Sequence, residues 1–158
     1  MPTLLLIRHG ETDFLGRKLS GRTPGVHLNE KGRAQADAVA QALGKAPLKA
    51  IYSSPMERAF ETAQPLAAAL SLEVQLRSGL TEMDFGRFQG RTFKQLQRVK
   101  LWKEVLNNPA GVRLPDGETF IEAQERIISD LEAIVGMHAD RGTSILSRNG
   151  RNENNEFV

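Results

Sequence analysis

Short apolar runs alternate with longer segments of helical spacing along most of the chain. The first run, residues 3–7 (TLLLI), is continuous rather than alternating, as expected of a strand buried on both faces of a parallel sheet. Residues 10–27 carry Gly, Arg, Thr and Pro without periodicity and read as loop. Asn29 is placed to cap an Ala-rich helix over 30–43 that Gly44 closes. Residues 50–53 predict a second strand. Pro55 marks a helix start, and the helical pattern runs to Leu70. Residues 72–76 predict a third strand, and 79–90 a loop with its own charges. Over 92–107, Phe93, Leu96, Val99, Trp102 and Leu106 recur near helical spacing and predict one amphipathic helix. After a loop at 109–117, residues 119–137 predict a helix carrying Ile121, Ile127, Ile128, Leu131, Ile134 and Val135, and 143–146 a last strand. Strands alternating with helices imply an α/β sandwich with a mostly parallel sheet. The pattern stops at 148–158 (RNGRNENNEFV), a polar, Asn-rich stretch that reads as a tail, so residues 1–147 form the expected single domain.

Composition narrows the classes. A chain of 158 residues can bury one real core, and 40% apolar with 25% charged residues is ordinary for a globular protein. No apolar run approaches the roughly 20 residues of a membrane span. The run before Arg8 and His9 is too short for the apolar region of a signal peptide, so a cytoplasmic location is expected. With no cysteine, disulfides, thiolate metal sites and a cysteine nucleophile are excluded. The net charge of +2, without a basic stripe interleaved with aromatics, suits an anionic ligand and argues against nucleic acid.

Three charged blocks each follow a predicted strand, where ligands gather in α/β sheets. Arg8-His9-Gly10-Glu11-Thr12 puts an arginine and a histidine at the first strand end, with Gly10 allowing close backbone approach. Residues 53–63 (SSPMERAFETA) put Arg58 in the first turn of a helix, where the dipole favours an anion; an arginine there opposes the dipole unless an anion lies between them. Residues 80–90 (LTEMDFGRFQG) place Glu82 and Asp84 in a glycine-flanked loop. Taken singly, each block has a plainer reading: a structural histidine, a surface arginine, two solvated carboxylates. Their order along one chain changes the weighing.

Together the blocks resemble the histidine phosphatase superfamily, the phosphoglycerate-mutase-like enzymes. Residues 6–12 carry its Arg-His-Gly signature. Residues 21–36 are similar to its following loop and first helix, 53–63 and 80–90 to two further signatures, and Pro115-Asp116-Gly117-Glu118-Thr119 to the start of its late helix. The resemblance spans roughly residues 3–147. It implies a three-layer α/β/α sandwich around a mostly parallel sheet and a phosphomonoesterase acting through phosphohistidine. His9 would be the nucleophile, with Arg8 and Arg58 clamping phosphoryl oxygens through their planar forks. Glu82 would be the general acid, partly desolvated for that task. Ser20 and Gly21 match, with a one-residue shift, a loop position that contacts phosphate, and Arg22 would join them. His27 and His138 match no catalytic position and are read as structural or surface residues. No metal or organic cofactor is required; the expected partner is a small phosphorylated substrate, with no nucleic acid and no membrane.

The chain departs from the pattern in two places. The family carries a second histidine in a Ser-His-Gly turn after the last strand; here the turn is Ser147-Arg148-Asn149-Gly150, and eight residues follow it. Three explanations stand: a frameshift or premature stop, a pseudoenzyme that binds phosphorylated ligands without turnover, or Arg148 serving as a charge stabiliser. Losing one preorganised donor costs roughly 3 to 4 kcal/mol of transition-state stabilisation, so weak or absent turnover is expected. The fold is accordingly expected to be C-terminally incomplete, with lower stability or a compensating homodimer contact. The second departure concerns substrate. Leu15 stands where the family has an asparagine, and Arg91, Arg98 and Arg113 form no Arg-Arg pair of the kind that mutases carry. This favours a phosphatase of small phosphomonoesters over a mutase.

Overall fold

The computed structural model describes residues 2–139. Helix α1 spans Glu30–Leu43 and ends at Gly44; it starts where the Asn29 side chain accepts the Gly32 N–H at 2.8 Å. Strand β1, Ile51–Ser53, leads into helix α2, Glu57–Leu70, and then strand β2, Val74–Leu76. The two strands pair in parallel with Ile51 opposite Val74 and Ser53 opposite Leu76, so β1–α2–β2 is a βαβ unit. Ser71, in the left-handed region at φ 53°, ends α2 and returns its N–H to the Ala68 carbonyl. Ile51, Leu66 and Ala67 are buried here, packed by Val39, Ala40, Leu43, Ala63 and Val74.

A second apolar cluster lies under the loops that follow β2. Met83, Phe88, Leu96, Trp102, Val105, Leu114 and Ala123 form it, with the Phe88 and Trp102 rings edge to face at 5.8 Å. It is closed by helix α5, Phe120–His138, which opens on a capping box between Thr119 and Glu122. This cluster supports the loop carrying Glu82, and the βαβ unit supports Arg58.

Three expectations need adjustment. Residues 3–7 form no strand among the described residues, and Leu4, Leu5, Leu6 and Ile7 are exposed there, Leu6 to 78%. A strand exists through its ladder partners, and none of the described residues provides one for this run. The single helix expected over 92–107 is two: α3, Phe93–Leu96, and α4, Lys100–Asn107, separated by an extended Val99. The break lets Leu96, Val99 and Trp102 all face the second cluster, while Leu106 is exposed. Helix α2 begins two residues after Pro55. The strand expected at 143–146, the tail at 148–158 and Arg148 itself lie outside the described residues. Among the described residues no helix is long and apolar enough to cross a membrane.

Candidate active site

His9 and Arg58 are 49 residues apart in sequence, and the fold brings them into contact. His9 is half-buried on the segment preceding α1. Its Nδ1 lies 2.7 Å from the Gly10 carbonyl, which can only accept, so Nδ1 carries the proton and Nε2 presents a lone pair. Arg58, 1% exposed in the first turn of α2, donates from Nε to that Nε2 at 3.3 Å and from Nη2 to the Gly21 carbonyl at 2.8 Å. Its remaining nitrogen, Nη1, is buried without a hydrogen-bond partner among the described residues. A buried charged donor without an acceptor is costly, and an anion reaching Nη1 is one acceptor that satisfies it.

Burial lowers the His9 pKa from the ordinary histidine value, and the positive charges of Arg58 and Arg8 lower it further, against the opposing pull of the Gly10 carbonyl and Glu82. The ring is therefore neutral at neutral pH, the form that can attack an electrophile. Burial likewise lowers the Arg58 pKa, with Glu82 and Glu57 opposing it. Glu82 thus acts electrostatically on both members of the pair.

The backbone around His9 is held by side chains the sequence did not single out. The Gly10 N–H donates to Thr62 Oγ1 at 3.0 Å, and that hydroxyl donates to the Arg58 carbonyl at 2.7 Å. Thr62, one turn after Arg58, therefore ties the first signature to the second. Close backbone packing does the rest: a side chain at Gly10 would meet the Gly32 carbonyl oxygen at 2.5 Å.

The other candidate residues take distinct places. Arg8 is exposed and makes no hydrogen bond among the described residues. Ser20 is partly exposed; its carbonyl accepts the Thr23 N–H at 2.9 Å. Gly21, at φ 46°, turns its carbonyl to Arg58. Arg22 directs its guanidinium to the Glu82 carbonyl, Asp84 and Glu118. Glu82 is exposed, not partly desolvated as expected, because it stands on a loop at the surface; its carboxylate accepts the Met83 N–H at 2.8 Å. His27 pairs with Glu61, whose carboxylate raises its pKa, and His138 meets the Tyr52 hydroxyl at 2.9 Å. Glu118, which accepts from Arg22, Arg126 and the Asp84 N–H, was visible in sequence only as part of the Pro115–Thr119 motif.

The chain is similar to known proteins in both sequence and fold. Residues 4–150 match the model of the histidine phosphatase superfamily, branch 1. The chain is 33% identical to phosphoglycerate mutase-like protein 4 of Arabidopsis thaliana over 93% of its own length, and spans 66% of that relative. It is 30% identical to phosphoserine phosphatase 1 of Hydrogenobacter thermophilus, covering 93% of this chain and 71% of the relative. The crystal structure of mycobacterial glucosyl-3-phosphoglycerate phosphatase superposes with a TM-score of 0.76 at 29% identity, over 87% of this chain and 65% of that one.

Proposed function

The chain belongs to the histidine phosphatase superfamily, and on that basis we propose that it is a phosphatase of small phosphomonoesters working through phosphohistidine at His9. The observation that carries the reading is the pair His9–Arg58: a neutral Nε2 lone pair beside a buried guanidinium with one unmet donor. In the first step Nε2 attacks phosphorus as the ester P–O bond breaks, and the electron pair goes to the leaving oxygen, which takes a proton from Glu82. In the second step water attacks phosphorus, its proton passes to the Glu82 carboxylate, the N–P bond breaks and phosphate leaves. Arg58 and Arg8 stabilise the charge on the phosphoryl oxygens in both steps. Relatives named as phosphatases support hydrolysis, as does the absence of an Arg-Arg pair between Gly90 and Pro115.

With Arg148 at the position of the family's second histidine, turnover is slow. The same substitution favours a second reading, a module that binds phosphorylated ligands without cleaving them. Phosphate release from a chromogenic phosphomonoester between about pH 5 and 8, measured beside His9→Ala and Arg148→His, separates them. Release that disappears in His9→Ala supports the phosphatase. Saturable inorganic phosphate binding with no release supports the binding module.

A further inference from the structure

Glu82 stands exposed on a loop that joins no ladder among the described residues. A proton donor on such a loop is effective only if something else fixes the backbone around it. Residues 79–84 are gripped at four points. Arg126 Nη1 donates to the Gly79 carbonyl at 2.7 Å and the Thr81 carbonyl at 2.8 Å. Arg22 Nε donates to the carbonyl of Glu82 itself at 2.7 Å, and the Asp84 N–H donates to Glu118 Oε2 at 3.0 Å.

One carboxylate organises all of these. Glu118 takes Arg126 through a two-pronged contact, Nε to Oε1 at 3.0 Å and Nη2 to Oε2 at 2.9 Å, and Arg22 Nη2 to Oε1 at 2.8 Å. Its own N–H returns to the Asp84 carbonyl at 2.9 Å. The network also reaches the nucleophile: Gly21, next to Arg22, accepts the Arg58 guanidinium that touches His9. The distance between the nucleophile and Glu82 is therefore set through Arg58, Gly21, Arg22 and Glu118.

We propose that Glu118 is a positioning residue for proton transfer: through Arg22 and Arg126 it holds Glu82 where it can protonate the leaving oxygen at His9. The inference rests on the phosphatase reading above. It assigns Glu118 to one part of the reaction. Phosphoryl transfer to Nε2 depends on His9 and Arg58, while proton delivery depends on the loop Glu118 holds.

The test uses leaving groups. The phenolate of 4-nitrophenyl phosphate departs without protonation, whereas the alkoxide of a simple alkyl phosphate requires it. For Glu118→Gln, kcat/KM on the alkyl ester falls by about 10- to 100-fold while the aryl ester stays within about threefold; Glu82→Gln, which also loses the base of the second step, still shows the split as a larger loss on the alkyl ester than on the aryl one. Where Glu118→Gln lowers the melting temperature too far for assay, Arg126→Gln, which releases the Gly79 and Thr81 carbonyls, repeats the comparison. Equal loss on both esters shows a purely structural role and overturns the proposal, as does no loss on either. A Glu82→Gln enzyme without the split overturns it by removing the acid from Glu82. If the parent chain shows no His9-dependent release from either ester, the phosphatase reading falls and this role falls with it.

Discussion

The Arg58 guanidinium donates from Nε to His9 Nε2 at 3.3 Å, while the Gly10 carbonyl accepts from the opposite ring nitrogen at 2.7 Å. The ring is thus held in one tautomer from both sides. A lysine at 58 keeps the positive charge but lacks the fork that reaches His9 and Gly21 together. Arg58→Lys is expected to lower kcat/KM by about 100- to 1,000-fold with a circular dichroism spectrum unchanged from the parent.

The His9 pKa is lowered by burial and then by Arg58 and Arg8. Since the neutral ring is the nucleophile, the acid limb of kcat/KM lies below 6.5, the ordinary histidine value. Arg8→Gln removes one of the charges that lower it, so the limb moves up toward that value. A pH–rate profile of both proteins, with an unmoved or lowered limb in the variant, would count against the electrostatic account.

Thr62 is 7% exposed and satisfies the Gly10 N–H. Valine keeps its shape but leaves that buried donor unpaired, so Thr62→Val is expected to cost about 1 to 3 kcal/mol. Urea unfolding monitored by the single tryptophan measures it.

A side chain at Gly32 would meet the Glu11 backbone oxygen at 2.1 Å. Neither α1 nor the segment after His9 can yield locally, because the obstructing atom is backbone. Gly32→Ala is expected to destabilise the fold by about 3 kcal/mol, read as a lowered denaturation midpoint.

Burial pushes the Glu118 carboxyl up, but the hydrogen bonds from Arg126 and the Asp84 N–H and the charges of Arg22 and Arg126 outweigh it and bring its pKa from 4.5 to about 2. A carboxylate lowered on folding contributes stability that is complete above its unfolded value and is lost as pH falls through the folded one. Thermal melts between pH 5 and 2 therefore show a loss in the parent across that window, and a shallower loss in Glu118→Gln.

Much of this architecture was legible from local signals. Asn29, Gly44 and the apolar spacing between them define α1, and the strand–helix–strand pattern, with its helix read from Pro55 to Leu70, defines the βαβ unit. The fate of residues 3–7 was not legible, because a strand is made by its partners and not by its own composition. Nor was the break at Val99, since Leu96, Val99 and Trp102 fit one continuous helix as well as two short ones turned on the same cluster. At the site, the ordered motifs brought His9, Arg58 and Glu82 forward. The side chains that hold them did not stand out: Thr62 reads as an ordinary helical threonine, and Glu118 as one acidic residue before a helix cap. Their roles come from hydrogen bonds across 52 and 34 residues of sequence, which no local pattern encodes.

The most direct test is the fate of the phosphoryl group. The chain is mixed with a phosphomonoester, quenched in alkali, where phosphohistidine persists, and its intact mass and proteolytic peptides are measured. One added phosphoryl group is expected on the peptide containing His9, absent in His9→Ala. Phosphate release by an unmodified chain, or undiminished release by His9→Ala, would contradict it.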